Sequence, residues 1–151
     1  MTRTFSLPSE GLGYFIGYTL FHSDRVGIVS PWLSDIEVTF PVNTRFEDRQ
    51  MYLSEAIERV EGETDVIVLI LEGQQSNEYI QSRLSAAVDV HRVEDLHAKA
   101  VVGEDAVYVG SANITHGGLM VNKELCQIVE NDYDTVEQYI EAELDFQHST
   151  R

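Results

Sequence analysis

The order of strand-like and helix-like segments along the chain predicts an α/β fold. Residues 66–71 form a continuous apolar run rich in β-branched side chains, which is typical of a strand buried on both faces. Apolar residues recur at helical spacing on either side of this run, in residues 50–61 and 76–87. With 151 residues, 43% of them hydrophobic, the chain is long enough to bury one ordinary core. We therefore expect a single domain over residues 1–151, in which residues 1–13 are irregular.

The first third of the chain carries the earlier elements. Residues 9–22 are aromatic and apolar, which indicates a buried helix, although three glycines weaken that helix. A short buried strand over residues 26–30 should end at Pro31, because proline lacks the backbone donor that a strand needs. Residues 36–48 contain further breakers and are predicted to be irregular. Gly62 is placed to end the helix of residues 50–61.

The last third is predicted to be mainly β-structure followed by one helix. Strands are expected at residues 88–93, 98–102, 106–109 and 125–129. The second and third of these flank a turn at Gly103-Glu104-Asp105 and should form a hairpin. Asp134 and Glu137 have the spacing of a capping box, which predicts the start of the last helix.

The charge balance is strongly acidic and unusually poor in lysine. The chain has 26 acidic and 10 basic residues, for a formal charge of −16, and its two lysines are Lys99 and Lys123. Such a charge would normally slow encounter with a polyanion. Many carboxylates with few lysines are also typical of proteins from a saline cytoplasm, where the Debye length is about 3 Å at molar salt. We predict a halophilic protein that binds phosphate through the few cations of its site; an acidic mesophilic protein is the alternative.

Compartment and membrane association follow from what the sequence contains. Cys126 is the single cysteine, which favours a reducing compartment and a role as a small buried hydrophobe. The apolar run of residues 66–71 is too short to span a bilayer, and the first residues lack a signal-peptide pattern. We expect a soluble, cytoplasmic protein that does not act at membranes.

Both lysines fall in one stretch whose polar residues suit attack on a phosphodiester. It reads His97-x-Lys99, then Ser111-x-Asn113, then Asn122-x-Glu124. Residues two apart on a strand face the same side. The first two pairs would share a surface if the hairpin loop were odd-numbered, with Glu104-Asp105-Ala106 as the loop. In that register His97 lies opposite Asn113, and Lys99 lies opposite Ser111.

Each of these side chains has a chemical use at phosphorus. The His97 imidazole can attack phosphorus and form a phosphohistidine. The Lys99 ammonium can bind non-bridging oxygens, and Ser111 and Asn113 can donate hydrogen bonds where negative charge accumulates. Glu124 could hold the imidazole in the correct tautomer.

These residues resemble the His-Lys-Asp motif of the phospholipase D superfamily. The resemblance lies in residues 96–105 and 109–115, with Asn122 and Glu124 similar to the Asn-x-Glu that follows in many members. Residues 29–33 also resemble the first core strand and turn, so the match spans about residues 26–129. One position departs from the pattern: Glu104 stands where the family has an aspartate thought to be structural.

The resemblance implies a fold, a mechanism and a partner. It implies a mixed central sheet with helices on both faces, and catalysis by two histidines from two motifs that meet across a twofold axis. Because this chain has one His-x-Lys, it resembles the single-motif nuclease branch, which completes its site by homodimerisation.

The leading interpretation is therefore a nucleic-acid phosphodiesterase that needs no metal or other cofactor. We assign catalysis to His97, Lys99, Asn113 and Glu124, and substrate binding to Lys99, Ser111 and Asn113. A phospholipase or phosphatidyl-transfer enzyme and a non-catalytic nucleic-acid-binding subunit remain alternatives. Trp32 is interpreted as a core or dimer-interface residue, with stacking on a base as the alternative.

Overall fold

The described residues form a mixed α/β structure. A computed structural model describes residues 3–7, 9–41, 48–110, 113–114 and 124–144. The strands are β1 (Arg3–Leu7), β2 (Arg25–Val29), β3 (Glu37–Pro41), β4 (Asp48–Tyr52), β5 (Asp65–Leu71), β6 (Asp89–Val93), β7 (Ala100–Val102), β8 (Ala106–Gly110) and β9 (Glu124–Glu130). The helices are α1 (Ser9–His22), α2 (Leu53–Arg59), α3 (Glu78–Arg83), preceded by a 3₁₀ turn (Gln75–Asn77), and α4 (Val136–Glu143).

Seven of these strands make one mixed sheet, in the order β1-β9-β8-β7-β2-β5-β6. Strands β2, β5 and β6 are parallel to one another, and the pairs from β2 through β7, β8 and β9 to β1 are antiparallel. One edge of the sheet therefore collects the carboxyl ends of β2, β5, β6 and β8 and the starts of β7 and β9. We call this edge the upper edge.

The core fills both faces of the sheet, as expected where a strand such as β5 is buried on both faces. Along β5, Val66, Val68 and Ile70 pack with the apolar residues of α1 and α2 on one face. Ile67 and Leu69 point the other way and pack against α4. Burying each such side chain stabilises the fold by roughly 1.5–3 kcal/mol. The prediction of a strand buried on both faces is confirmed, as is the mixed sheet with helices on either side.

Glycines allow two helices to approach the strands closely. A Cβ on Gly27 of β2 would lie 2.9 Å from Ile140 Cδ1, so α4 can pack directly on this strand. A Cβ on Gly13 would lie 3.1 Å from the carbonyl oxygen of Glu37 in β3. This contact explains a glycine within α1, which spans the predicted residues 9–22 despite the low helix propensity of glycine.

Two segments that were predicted to be irregular are ordered instead. Residues 36–48 include β3, which pairs with β4 in a two-stranded sheet. Pro41 is tolerated there because it lies at the end of β3, in a sheet of only two strands. Residues 1–13 include β1, which pairs with β9, and the first turn of α1.

The predicted loop of the β7–β8 hairpin is wrong by one residue. Ala100 pairs with Val109 and Val102 with Val107. The Gly103 amide donates to the Ala106 carbonyl at 3.0 Å, which closes a two-residue turn at Glu104-Asp105. Lys99 therefore lies opposite Gly110, whereas the predicted register placed it opposite Ser111.

The capping box of the last helix also lies one residue later than predicted. The Thr135 hydroxyl accepts from the Gln138 amide, and the Gln138 side chain accepts from the Thr135 amide. Threonine at the N-cap and glutamine three residues later accept hydrogen bonds from two backbone amides that have no partner within the helix. None of the helices in the described ranges combines the length and apolar character needed to traverse a bilayer.

Candidate active site

His97 lies on an irregular segment that leads from β6 to β7, not on a strand. Leu96 on this segment is buried in the core beneath α4, and Ala98 packs against the same cluster. Because neighbours on an extended chain point to opposite sides, His97 is directed away from the core. Its side chain is 87% exposed at the upper edge. The apolar neighbours therefore hold the backbone while leaving the imidazole accessible.

The imidazole has a carboxylate partner that sequence reasoning missed. His97 Nε2 lies 2.9 Å from Asp95 Oδ1. An ionised carboxylate can only accept, so Nε2 carries the proton in this arrangement and Nδ1 of the neutral ring keeps its lone pair. The prediction had assigned the orienting carboxylate to Glu124. The spacing of Asp95 two residues before His97 was the available signal.

Lys99 brings a cation next to His97. Its Nζ donates to the carbonyl oxygen of His97 at 3.0 Å. The Lys99 carbonyl accepts from the Gly110 amide at 3.1 Å, which ties this segment to the end of β8. The position of the ammonium is therefore set by the same piece of backbone that presents the imidazole.

Asn113 is held at this edge by contacts of its neighbour Ile114. The Ile114 amide donates to the buried hydroxyl of Ser30 at 2.9 Å, and Ile114 forms a parallel bridge with Leu33. Asn113 Oδ1 is buried and has no hydrogen-bond partner within the described part of the chain. An unsatisfied buried acceptor is rare and needs an explanation, such as a ligand donor.

The remaining site candidates are described only in part. Glu124 begins β9 at the upper edge, where it pairs with Leu7. The structure describes the backbone of Glu124 and of Cys126 but not their side chains. Ser111, Asn122 and Lys123 lie outside the described residues. The structure thus brings His97, Lys99, Asn113 and the backbone of residue 124 to one edge of the sheet. In open α/β sheets, ligands bind outside the carboxyl ends of the strands.

Glu104 sits at the opposite edge of the sheet. Its carboxylate accepts from the Asp24 amide at 2.6 Å, next to the start of β2. This contact fits the structural role that the family resemblance implies for the acidic residue at that position.

Trp32 is not a core residue, so that half of its interpretation is wrong, whereas a position at a dimer interface stays a prediction. It follows β2 at the upper edge, is 40% exposed, and donates through Nε1 to Gln74 Oε1 at 3.1 Å. No group of three or more histidine, cysteine, aspartate and glutamate side chains within the described ranges is arranged to hold a metal ion.

A mixed sheet that presents a His-x-Lys pair at one edge is the architecture of a phospholipase D-like domain. The sequence matches the family described as "Cardiolipin synthase, PLD-like domain" over residues 48–146. This match spans about two-thirds of the chain, and the protein belongs to this family. No curated protein matches the sequence significantly.

Solved structures share the fold at low sequence identity. The phospholipase D family member Nuc from Salmonella typhimurium superposes with a TM-score of 0.63 at 13% identity, covering 93% of this chain and 90% of Nuc. Phosphatidylserine synthase from Haemophilus influenzae Rd KW20 has a TM-score of 0.62 at 19% identity, with 93% of this chain and 36% of that chain covered. The archaeal chromatin protein TrmBL2, whose structure shows a novel mode of DNA binding, has a TM-score of 0.55 at 10% identity over 92% of this chain and 50% of its own. Family and fold support a phosphodiesterase-type enzyme.

Proposed function

We propose that this protein is a metal-independent phosphodiesterase that cleaves nucleic acid as an endonuclease, at a site shared by two subunits. The observation that carries the proposal is the exposed His97 imidazole at the upper edge, with the Lys99 ammonium hydrogen-bonded to the His97 carbonyl at 3.0 Å. The family match supports phosphodiester chemistry, and a nucleic-acid partner is consistent with the DNA binding of TrmBL2, half of which this chain matches in fold.

The proposed reaction has two displacements at phosphorus. The imidazole of one His97 attacks, a P–N bond forms, and the P–O bond to the leaving oxygen breaks. A second imidazole donates the proton that the leaving oxygen needs, because one ring cannot attack and protonate at once. Water then attacks the phosphohistidine and gives its proton to the second imidazole, while the P–N bond breaks. Since the chain has one His-x-Lys, the second ring would be the partner subunit's His97 in a C2 dimer.

Other side chains would serve binding and charge stabilisation. Lys99 would bind the non-bridging oxygens, and Asn113 and Ser111 would donate hydrogen bonds as negative charge accumulates. In this proposal Glu124 orients the imidazole once the dimer forms, whereas Asp95 holds it in the isolated chain.

A second candidate is phosphatidyl transfer or phospholipid hydrolysis. The description of the matching family names cardiolipin synthase, and phosphatidylserine synthase has the same fold. Nucleic acid is favoured over lipid because the sequence carries one His-x-Lys motif and no amphipathic, basic stretch of the kind that binds membranes. A third candidate, a non-catalytic nucleic-acid-binding subunit, is disfavoured by the presence of both His97 and Lys99.

The first experiment offers the purified protein labelled DNA, labelled RNA and phosphatidylglycerol vesicles in multimolar KCl with EDTA. We expect cleavage of nucleic acid and no turnover of lipid. Lipid turnover alone would favour the second candidate, and binding without any cleavage would favour the third. Restoration of activity by magnesium after loss in EDTA would contradict a metal-independent mechanism.

Mixed dimers test whether the site is shared. A heterodimer of wild type with His97→Ala has one imidazole in its single composite site, so it should be nearly inactive. Light scattering at high salt should give about twice the monomer mass. Half-activity of the heterodimer, or full activity of a monomer, would show that each subunit owns its own site.

A further inference from the structure

The loop that carries Trp32 is fixed by buried hydrogen bonds on both sides of the tryptophan. The Ser30 hydroxyl donates to the Trp32 carbonyl at 2.6 Å. The Asn77 amide group donates to the Pro31 carbonyl at 2.8 Å and accepts from the Leu33 amide at 2.8 Å. Ser30 and Asn77 are fully buried, so the backbone around Trp32 is held before any ligand arrives.

The indole itself is anchored but exposed. Its Nε1 donates to Gln74 Oε1, a bond that uses the edge of the ring, and 40% of the residue remains exposed. An exposed tryptophan held in one place loses little entropy when a flat ring stacks on it. Stacking of nucleobases on such side chains is a common and sequence-tolerant way to bind single strands.

A polar cavity is linked to this tryptophan through Gln74, which lines the cavity and accepts the indole hydrogen bond; Trp32 itself is not one of the lining residues. The cavity volume is about 440 Å³, which is within the range of small-molecule sites. Its polar lining consists of three amides, two carboxylates and one guanidinium, from Gln74, Gln75, Gln81, Glu72, Glu78 and Arg92. The Gln81 amide oxygen accepts from the Arg92 guanidinium at 2.7 Å when it is oriented toward that group.

This lining selects for the base and not for the phosphate of a nucleotide. The carboxylates of Glu72 and Glu78 outnumber the Arg92 guanidinium, so the lining carries a net negative charge that disfavours an anion. Amide groups offer both donors and acceptors, which match the edge of a neutral heterocycle. The cavity therefore suits the polar edge of a nucleobase, and Gln74 connects it to the indole on which a base could stack.

The cavity and the candidate catalytic residues share the upper edge. Gln74 follows β5, Trp32 follows β2, and Lys99 precedes β7, in a sheet where β5, β2 and β7 are neighbours. A base can enter the cavity only when it is unpaired, because the edges of a paired base face its complement. We propose that Trp32 and this cavity form a subsite for an unpaired nucleobase, so that single-stranded nucleic acid is the preferred substrate. The substrate preference rests on the proposed nuclease function; the binding subsite does not.

Trp32 is the single tryptophan of the chain, so its fluorescence reports directly on this subsite. The binding experiment uses the His97→Ala protein, which should bind without cleaving. We expect saturable quenching by single-stranded oligodeoxythymidine or oligouridine, and much weaker quenching by a duplex or a fully abasic strand of equal length. Comparison of the affinities for oligodeoxythymidine and oligouridine shows whether the subsite prefers DNA or RNA. Equal quenching by the duplex and the abasic strand would overturn the subsite.

The affinities of variants at Trp32 and at a control position are measured by the fluorescence anisotropy of a labelled oligonucleotide. Trp32→Ala should weaken single-strand binding roughly tenfold, and Trp32→Phe should retain most of it, as expected for loss and retention of one stacked base. Tyr18→Ala is the matched control, because Tyr18 is an aromatic residue that is 55% exposed near the end of α1, at the opposite edge of the sheet. If Trp32→Ala proves unstable, the quenching experiment, which leaves Trp32 in place, still decides.

Cleavage assays separate this inference from the proposed function. In the active protein, Trp32→Ala should raise the KM for single-stranded substrate roughly tenfold and leave cleavage of the abasic strand unchanged. Absence of all cleavage in the wild type, with quenching intact, would reject the nuclease and keep the subsite. Normal cleavage with the same KM in Trp32→Ala would reject the subsite and keep the nuclease.

Discussion

Asp35 and Asp95 are two hydrogen-bonded carboxylates in opposite settings. Asp35 is 4% exposed and accepts from the Ser54 amide and hydroxyl at 2.7 Å each, with Arg83 Nε at 3.2 Å. The Asp95 side chain is 90% exposed, and its described partner is the His97 ring at 2.9 Å.

Because of this difference in burial, Asp35 stabilises the fold, whereas Asp95 contributes little to stability. The bonds to Asp35 satisfy the first turn of α2, and their loss would leave buried donors without partners. The contact between Asp95 and His97 is open to water, where such pairs contribute little to stability. The imidazole can therefore exchange Asp95 for a substrate or a second subunit at small cost.

The largest expected effect is on turnover, from the His97→Ala substitution. Removing the proposed nucleophile should lower kcat by at least about a thousandfold. The free energy of unfolding should change by less than about 0.5 kcal/mol, because the side chain is exposed. Activity assays and urea denaturation of the same preparation measure both. Lys99→Ala should behave similarly, and retention of activity in either variant would remove that residue from the site.

The next effect is on stability, from the Asp35→Ala substitution. It leaves the Ser54 amide and hydroxyl buried without their acceptor, which should cost about 3 kcal/mol of unfolding free energy. Urea denaturation checks this value, and Ser54→Ala, which removes the hydroxyl but keeps the amide bond, should cost less. Wild-type stability in Asp35→Ala would mean that the buried carboxylate is dispensable.

Salt should act on the acidic surface of the protein and have little effect at the buried Asp35. Raising KCl to molar concentration shortens the Debye length to about 3 Å and screens the repulsion from a net charge of −16. If the protein is halophilic, folding and cleavage should persist or increase, although nucleic-acid binding usually weakens with salt. The destabilisation by Asp35→Ala should change little, because that site is buried. Greatest stability and activity in dilute buffer would reject halophily and leave the catalytic assignment unaffected.

The smallest effect is expected from Asp95→Asn. Stability should change by less than about 0.5 kcal/mol, because both partners are exposed. Turnover in the same activity assay should fall far less than in His97→Ala, because the imidazole can exchange Asp95 for a substrate or a second subunit. A loss of activity as large as that of His97→Ala would show that the active enzyme needs the contact between Asp95 and His97.

Much of the fold could be predicted from local sequence patterns, and each wrong prediction has an identifiable physical cause. The apolar run of β5 and the bounds of α1 were predicted correctly, because burial on both faces leaves a strong hydrophobic signal. The hairpin β3–β4 was missed because it lies beside α1, and its stability comes from that packing. The loop at Glu104-Asp105 could not be assigned, since two- and three-residue turns tolerate the same residues there.

The site was only partly predictable for a related reason. The motif located His97 and Lys99, but the even register expected to unite them with Ser111 and Asn113 is not the one that forms. Sheet order brings Asn113 to the same edge instead, through Ser30 and Leu33 of a distant segment. The signal for Asp95 was its position two residues before His97, and the exposure of Trp32 had no distinctive sequence signal.

The pairing of β1 with β9 sets the order in which the protein is assembled during synthesis. Leu7 lies opposite Glu124, so the outer strand of the sheet has no partner until most of the chain has left the ribosome. Contacts between such distant segments form late, because the closure of a long loop must precede them. The strand that carries Glu124 is therefore among the last to be fixed.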